Sequence, residues 1–270
     1  MTECNIIAAA YDAGVDEEYK RLVSSPLREV EFELITKFLS DYISYGSTVI
    51  DIGTGPGRYA EFLLSRKCKI GTVDLSEKSL EFFGNRISET YKNQILFNKT
   101  CCATNLEWIE SETADAMLLM GPMYHLVSHD ERVSAIKHAY RILKKDGFIF
   151  SVFMSPYPLL NPLMESKVEL LNNKNFLKSI DTECITKVNF QGYEIEQFRC
   201  WPSYATKIMT NEGFIKHNIC NIEGIGCFLK NTNNSSYDDF KNFLLNAITN
   251  TCEKPNLLGI TEQYLYIGKK

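Results

Sequence analysis

Long apolar runs are missing from this 270-residue chain, and no stretch nears the roughly 20 residues that a membrane-spanning helix needs. There is also no Lys/Arg block longer than a pair, and the net charge is −5, so neither a membrane nor a dedicated nucleic-acid surface is expected. The nine cysteines form no Cys-x-x-Cys, and only Cys101 and Cys102 are adjacent. No zinc framework or disulfide scaffold follows from such spacing, and no metal site is expected. Met1 to Ala10 lacks the basic start and the apolar length of a secretion signal. A cytoplasmic location with reduced thiols is therefore expected, where the Asn233-Asn234-Ser235 sequon carries no information.

What is present is the material of a core: 44% hydrophobic and 23% charged residues, as in an ordinary globular chain. Its length permits one large domain, 1–270, with room for an insertion. The organising stretch is Val49-Ile50-Asp51-Ile52-Gly53-Thr54-Gly55-Pro56-Gly57-Arg58-Tyr59. A β-branched run ends in glycines at alternate positions, and an amphipathic segment from Arg58 to Ser65 follows, which reads as strand, tight turn and helix. Glycine admits φ > 0 and removes the Cβ that keeps a ligand from the main chain, while the helix aims its free N–H groups over the turn. A dinucleotide turn, G-x-G-x-x-G, needs a third glycine where Arg58 stands here. Asp51 beside the cradle repels a pyrophosphate and suits a positively charged ligand. S-adenosylmethionine carries a sulfonium and an ammonium and no phosphate. The stretch resembles the first motif of class I S-adenosylmethionine-dependent methyltransferases.

Around it, Ser25-Pro26 starts a helix with Leu27, Val30, Leu34 and Phe38 on one face, after a short polar helix within 11–24. Further strands are expected at Lys69–Asp74, Gln94–Asn98, Ala114–Met120 and Phe148–Met154. Ser76 caps one intervening helix; Ser128 with Glu131 forms a capping box on the next, which runs to Lys144-Lys145 and Gly147. Five strand–helix alternations imply a parallel sheet with helices on both faces. Residues 155–200 break that rhythm with prolines, an amphipathic stretch and a strand at Tyr193–Phe198, and are read as a lid or substrate-binding insertion. A helix over Pro202–Asn211, a strand over Phe214–Ile222, a helix capped by Ser236 and a strand over Glu262–Ile267 complete the chain. The resemblance implies the rest of the fold class: α/β, a Rossmann-like doubly wound seven-stranded sheet whose last strand is antiparallel. Residues 1–45 form a helical N-terminal cover and the insertion follows strand five.

Asp74 ends the second strand, where an acid accepts the ribose hydroxyls in dinucleotide folds and methyltransferases alike, and Leu75 would pack on the adenine. In the family the loop after strand three usually reads Gly-Asp-Ala; here Cys102 replaces that Asp, which leaves the backbone of Ala103, with Thr104 or Asn105 as substitute acceptors. The implied cofactor-binding set is Asp51, Gly53, Thr54, Gly55, Gly57, Arg58, Asp74, Leu75, Cys102, Ala103, Thr104, Met120 and Gly121.

Met120-Gly121-Pro122-Met123-Tyr124-His125-Leu126 occupies the acceptor side. It is similar to the Gly-Pro-Leu-Tyr-His-Leu signature of a bacterial group of small-molecule methyltransferases. Glu18-Tyr19-Lys20-Arg21-Leu22, Asp74-Leu75-Ser76, Glu253-Lys254-Pro255 and Leu258-Gly259 extend the likeness, whereas Gln263 stands where that group often has His. His125 is the candidate base and Tyr124 the candidate orienting residue; a histidine that fixes its own loop through a backbone bond is the competing reading. Tyr11, Arg21, Trp201 and Tyr204 are candidate substrate-binding residues, Arg21 also as partner of the methionine carboxylate.

These residues together imply a methyltransferase that uses S-adenosylmethionine on nitrogen or oxygen of a small-molecule acceptor, working as a monomer or homodimer. An RNA or protein methyltransferase, a catalytically silent S-adenosylmethionine-binding protein and a nicotinamide oxidoreductase stay open, the last disfavoured by Asp51 and Arg58.

Overall fold

In the computed structural model, residues 3–160, 183–228 and 236–270 are described. Two helices, Glu3–Ala13 (α1) and Val15–Arg21 (α2), precede Pro26–Tyr42 (α3), which starts as expected: Ser25 accepts the N–H of Arg28 at 3.4 Å. Then β1 (Thr48–Ile52), α4 (Arg58–Ser65), β2 (Lys69–Asp74), α5 (Glu77–Arg86), α6 (Glu89–Lys92) and β3 (Ile95–Thr100) form the first half of the sheet. The second half is β4 (Ala114–Leu119), α7 (His129–Ile142) and β5 (Leu143–Met154). A hairpin of β6 (Glu183–Phe190) and β7 (Tyr193–Cys200) leads to α8 (Pro202–Asn211), β8 (Ile215–Asn221), α9 (Tyr237–Thr251) and β9 (Gln263–Lys269).

The parallel run is β3-β2-β1-β4-β5; β9 lies antiparallel to β5, and β8 antiparallel to β9. Those seven strands are the expected set with the antiparallel last strand. The sheet nevertheless has nine, because the insertion contributes two. Met154 pairs with Gln263 of β9 and, on its other edge, with Arg199 of β7, so the hairpin joins β5 at its carboxyl end. Gln191 and Gly192 make the turn with φ of 54° and 82°, the positive pair that a two-residue hairpin with the right twist requires.

Alternation along the strands sends Ile50, Ile52, Met117 and Leu119 to a core with α7 and α8, and Val49, Ala116 and Leu118 to one with α3, α4 and α9. A third, small cluster joins Ile7 and Ala10 of α1 to Ile195 of the hairpin.

Four other local expectations need correction. The N-terminal helix begins at Glu3, well before the polar stretch expected to hold it, because its buried face is made only when the distant hairpin packs there. Ser128 precedes α7 but its side chain makes no capping bond, so the capping box with Glu131 is not formed. That helix ends at Ile142, and Lys144 and Lys145 belong to β5, drawn in by the pairing of Leu143 with Ala114. The amphipathic stretch expected after Pro162 and the Asn231–Asn234 tract lie outside the described residues.

Gly57 carries the packing of the first turn. Its φ is +89°, and a Cβ there would lie 2.1 Å from Cδ2 of the buried Phe83. Gly57→Ala therefore combines left-handed strain with overpacking, each worth about 1–3 kcal/mol. The urea midpoint is expected to fall by an amount equivalent to about 2–4 kcal/mol, at unchanged m-value. Gly55→Ala is the control: its φ is +55° but nothing lies within 4 Å of the added methyl, so only the strain is paid.

Candidate active site

Strands β1 to β5 end at one edge of the sheet, and the chain reverses direction across it between β1 and β4, where open α/β sheets place their ligands. The first turn is tied to its neighbour by the N–H of Gly53, which donates to the carbonyl of Val73 at 2.7 Å. A Cβ on Gly53 would meet Pro122 at 2.5 Å, so the turns after β1 and β4 touch and form the floor of a single cavity. At Gly55 the same test finds open space, and its N–H donates to Oδ2 of Asp74 at 2.7 Å. The other oxygen of Asp74 accepts from the N–H of Ser76 at 2.8 Å. Burial pushes the Asp74 carboxyl upward while the Ser76 and Gly55 N–H groups pull it back.

Asp51 is 3% exposed, and burial together with the nearby Asp74 charge raises its carboxyl to about 8. A buried acid with its charge suppressed fits a cationic ligand, which restores the anion. At pH 7 the ligand-free protein holds that proton, so binding of a sulfonium is expected to release it. Affinity for S-adenosylmethionine should accordingly rise with pH up to about 8 and then level off. Calorimetry in two buffers of different ionisation enthalpy reads the released proton directly. The sign for folding is opposite: between the usual carboxylate value and about 8 only the folded chain holds the proton, so apo stability from this group declines as pH rises.

Helix α1 forms the roof. Asp12 accepts hydrogen bonds from Ser76 Oγ at 2.6 Å and from the N–H of Lys78, which pins the end of α1 to the start of α5. Its other side rests on the hairpin through Ile195 and Phe190. From this roof the Tyr11 hydroxyl reaches Nε2 of His125 at 2.8 Å. His125 is 8% exposed, its Nδ1 has no partner, and burial depresses its pKa to about 4, so the ring is neutral at physiological pH. Its side chain thus bonds Tyr11 across 114 residues and makes no bond to its own loop. Tyr124 beside it stays a phenol, pushed up to about 12 by burial.

Behind these residues runs a chain of charges. Arg21 pairs with Glu18 at 2.9 Å and with Glu31 at 3.2 Å; Arg28 pairs with Glu31 and with Glu223 at 2.7 Å. Glu223 also accepts the backbone N–H groups of Glu262 and Gln263.

Asp51, Gly53, Thr54, Gly55, Arg58, Asp74, Leu75, Cys102, Ala103, Met120 and Gly121 all line this cavity, as do Tyr11, Arg21, Tyr124 and His125. Gly57 stands behind the loop against Phe83. The Arg58 guanidinium is engaged elsewhere, donating to the carbonyl of Tyr19 at 2.7 Å and lying over that ring. Thr104 is not among the lining residues; its hydroxyl bonds the Cys102 thiol at 3.1 Å. Trp201 and Tyr204 also stand apart from the cavity: Tyr204 bonds His129 and Arg132, and Trp201 packs near Gly259. Sequence reasoning did not single out Glu18, Glu31 or Tyr59, nor Cys4 on α1, whose thiol is pushed up to about 11 by burial and by contact with Cys102. The Glu18-Tyr19-Lys20-Arg21 motif was the available signal for the first of these.

Residues 49–147 match a family model described as a methyltransferase domain. No curated protein matches the chain. Among solved structures, a Burkholderia thailandensis 1,6-didemethyltoxoflavin-N1-methyltransferase, holding its substrate and S-adenosylhomocysteine, is similar with a TM-score of 0.60 and 10% identity over 98% of this chain and 88% of that one. A Methanosarcina mazei S-adenosylmethionine-dependent methyltransferase gives 0.58 and 13% over 86% and 96%. A Haloferax volcanii chain described as a putative methyltransferase in complex with the Trm112 activator gives 0.57 and 14% over 96% of each. At such identities these likenesses are of fold.

Proposed function

From the premise that the chain is an S-adenosylmethionine-dependent methyltransferase, we propose that it methylates nitrogen or oxygen of a small molecule. The observation that carries this reading is the roof: α1 closes the chamber above Tyr124 and His125, so the acceptor side is a pocket and not an open groove. The Burkholderia thailandensis neighbour binds a small molecule under the same fold, which supports it. The cofactor fits what lies opposite: open space at Gly55, an acid at the end of β2 and the charge-suppressed Asp51.

When bound, S-adenosylmethionine supplies a methyl group already activated on sulfur. The chain has then to hold the acceptor close, aligned and dry. His125 offers Nδ1 as the hydrogen-bonding atom with no other partner, and Tyr11 fixes the ring that carries it. A ring whose pKa is depressed to about 4 is a weak base, so its part is to orient the nucleophile, with the proton passing on to water.

Purified chain with tritiated-methyl S-adenosylmethionine, offered small-molecule pools, bulk RNA and bulk protein in parallel, tests this reading. Label is expected in the small-molecule fraction. Label confined to RNA or protein overturns it, and cofactor binding without transfer to any fraction identifies a silent binder.

A further inference from the structure

The part of the cavity that the cofactor loops leave over has a charge of its own. Beyond Asp51, Asp74 and the glycine loop, its described lining includes Glu3, Glu18, Glu31 and Glu131, against Arg21 as the one cation. Arg21 is not free to balance them, because Nε and Nη1 already serve Glu18 and Glu31. Aromatic faces line the same space: Tyr11, Tyr59 and Tyr124. Carboxylates set among tyrosine rings are the chemistry that recognises an ammonium ion, by charge and by the negative faces of the rings.

A second observation, independent of the acids, shows that a ligand is missing from the account. Two polar atoms on this wall, Nδ1 of His125 and the hydroxyl of Tyr59, are buried and have no partner. Leaving such atoms unpaired is costly, and the great majority in folded proteins are satisfied. His125 is more than nine-tenths buried and lines the chamber, so its open position looks toward whatever occupies that space.

We infer that the acceptor is an amine, cationic in solution, whose ammonium group is received between Glu18, Glu31 and the rings of Tyr11, Tyr59 and Tyr124, with Nδ1 of His125 bonded to the reacting nitrogen. This rests on the small-molecule methyltransferase reading and narrows it to nitrogen. In the reaction the ammonium first gives a proton to water, and the nitrogen lone pair then forms the N–C bond. The S–C bond breaks with its electron pair retained by sulfur, which leaves S-adenosylhomocysteine and a protonated N-methylamine. An anionic acceptor is excluded by the same wall, since it would face four carboxylates with its one cation already paired.

The test uses the full chain saturated with S-adenosylhomocysteine and three matched probes: phenethylamine, 3-phenylpropionate and 3-phenyl-1-propanol. Affinities are read by ligand-observed NMR. The amine is expected to bind at least tenfold more tightly than the carboxylate and more tightly than the alcohol. Glu18→Gln, at a partly exposed side chain that is tolerant of change, should weaken the amine at least fivefold and leave the carboxylate no weaker. Equal or tighter binding of the carboxylate, indifference of the amine to Glu18→Gln, or binding of none of the three overturns the inference. Failure of the chain to take up S-adenosylhomocysteine at the outset is a different result, and it strikes the methyltransferase reading itself.

Discussion

Asp74→Ala is expected to lower the affinity for S-adenosylmethionine and S-adenosylhomocysteine alike by roughly 100-fold. Hydrogen bonds to a charged group contribute about 1.5–3 kcal/mol each, and every 1.4 kcal/mol is a factor of ten. The carboxylate already accepts Gly55 N–H through one oxygen and Ser76 N–H through the other. Each oxygen keeps a lone pair for a ribose hydroxyl, so one side chain both shapes the loop and binds the sugar. Asp74→Asn separates the two roles. Its amide keeps one acceptor and adds a donor where Gly55 or Ser76 already donates, so it is expected to fall between wild type and alanine. Because the sulfonium is not at this end, the loss should be the same for both ligands in calorimetry. A loss confined to S-adenosylmethionine would place Asp74 beside the sulfonium, and no loss would remove it from the site.

That role was legible because the sequence carries it locally. Glycines at positions 53, 55 and 57 need φ values of 76°, 55° and 89°, which other residues avoid, so the spacing itself announces the turn. The alternation in Val49 to Ile52 likewise declares its two faces, and the structure sends Val49 to one core and Ile50 to the other. Where partners are distant the signal fades. Glu31 lies in a helix among charged neighbours and reads as a solvated face, yet it is 1% exposed because Arg28 bridges it to Glu223, 195 residues further on. The roof was missed for the same reason. Only Ile7 and Ala10 of α1 are buried, too few to form a pattern, and their partner Ile195 is in the hairpin. Trp201 and Tyr204 err in the other direction: aromatic residues after an insertion suggested a pocket wall, while Tyr204 is occupied by Phe198, Arg132 and His129.

The junction between roof and floor is where the second large effect is expected. Tyr11 is contributed by a helix that packs on the hairpin, His125 by the turn after β4, and their 2.8 Å bond is a direct link between the two. If His125 orients the acceptor, His125→Ala should lower kcat by at least about 100-fold, the lower end of what a positioned polar group contributes to proton-linked transfer. Tyr11→Phe keeps the ring, its edge-to-face contact with His125 and its packing on Phe190, and removes only the hydroxyl. With that bond gone the imidazole loses its fixed orientation, and kcat should fall by about tenfold or more, because small displacements of a positioned group carry large rate costs. Residues that act through one another do not add, so the double variant should be no slower than His125→Ala alone. KM for the cofactor is the measurement that separates this from a purely structural role. A roof that merely shuts the chamber would raise that KM in Tyr11→Phe at unchanged kcat. A hydroxyl that positions His125 lowers kcat and leaves cofactor binding as it was.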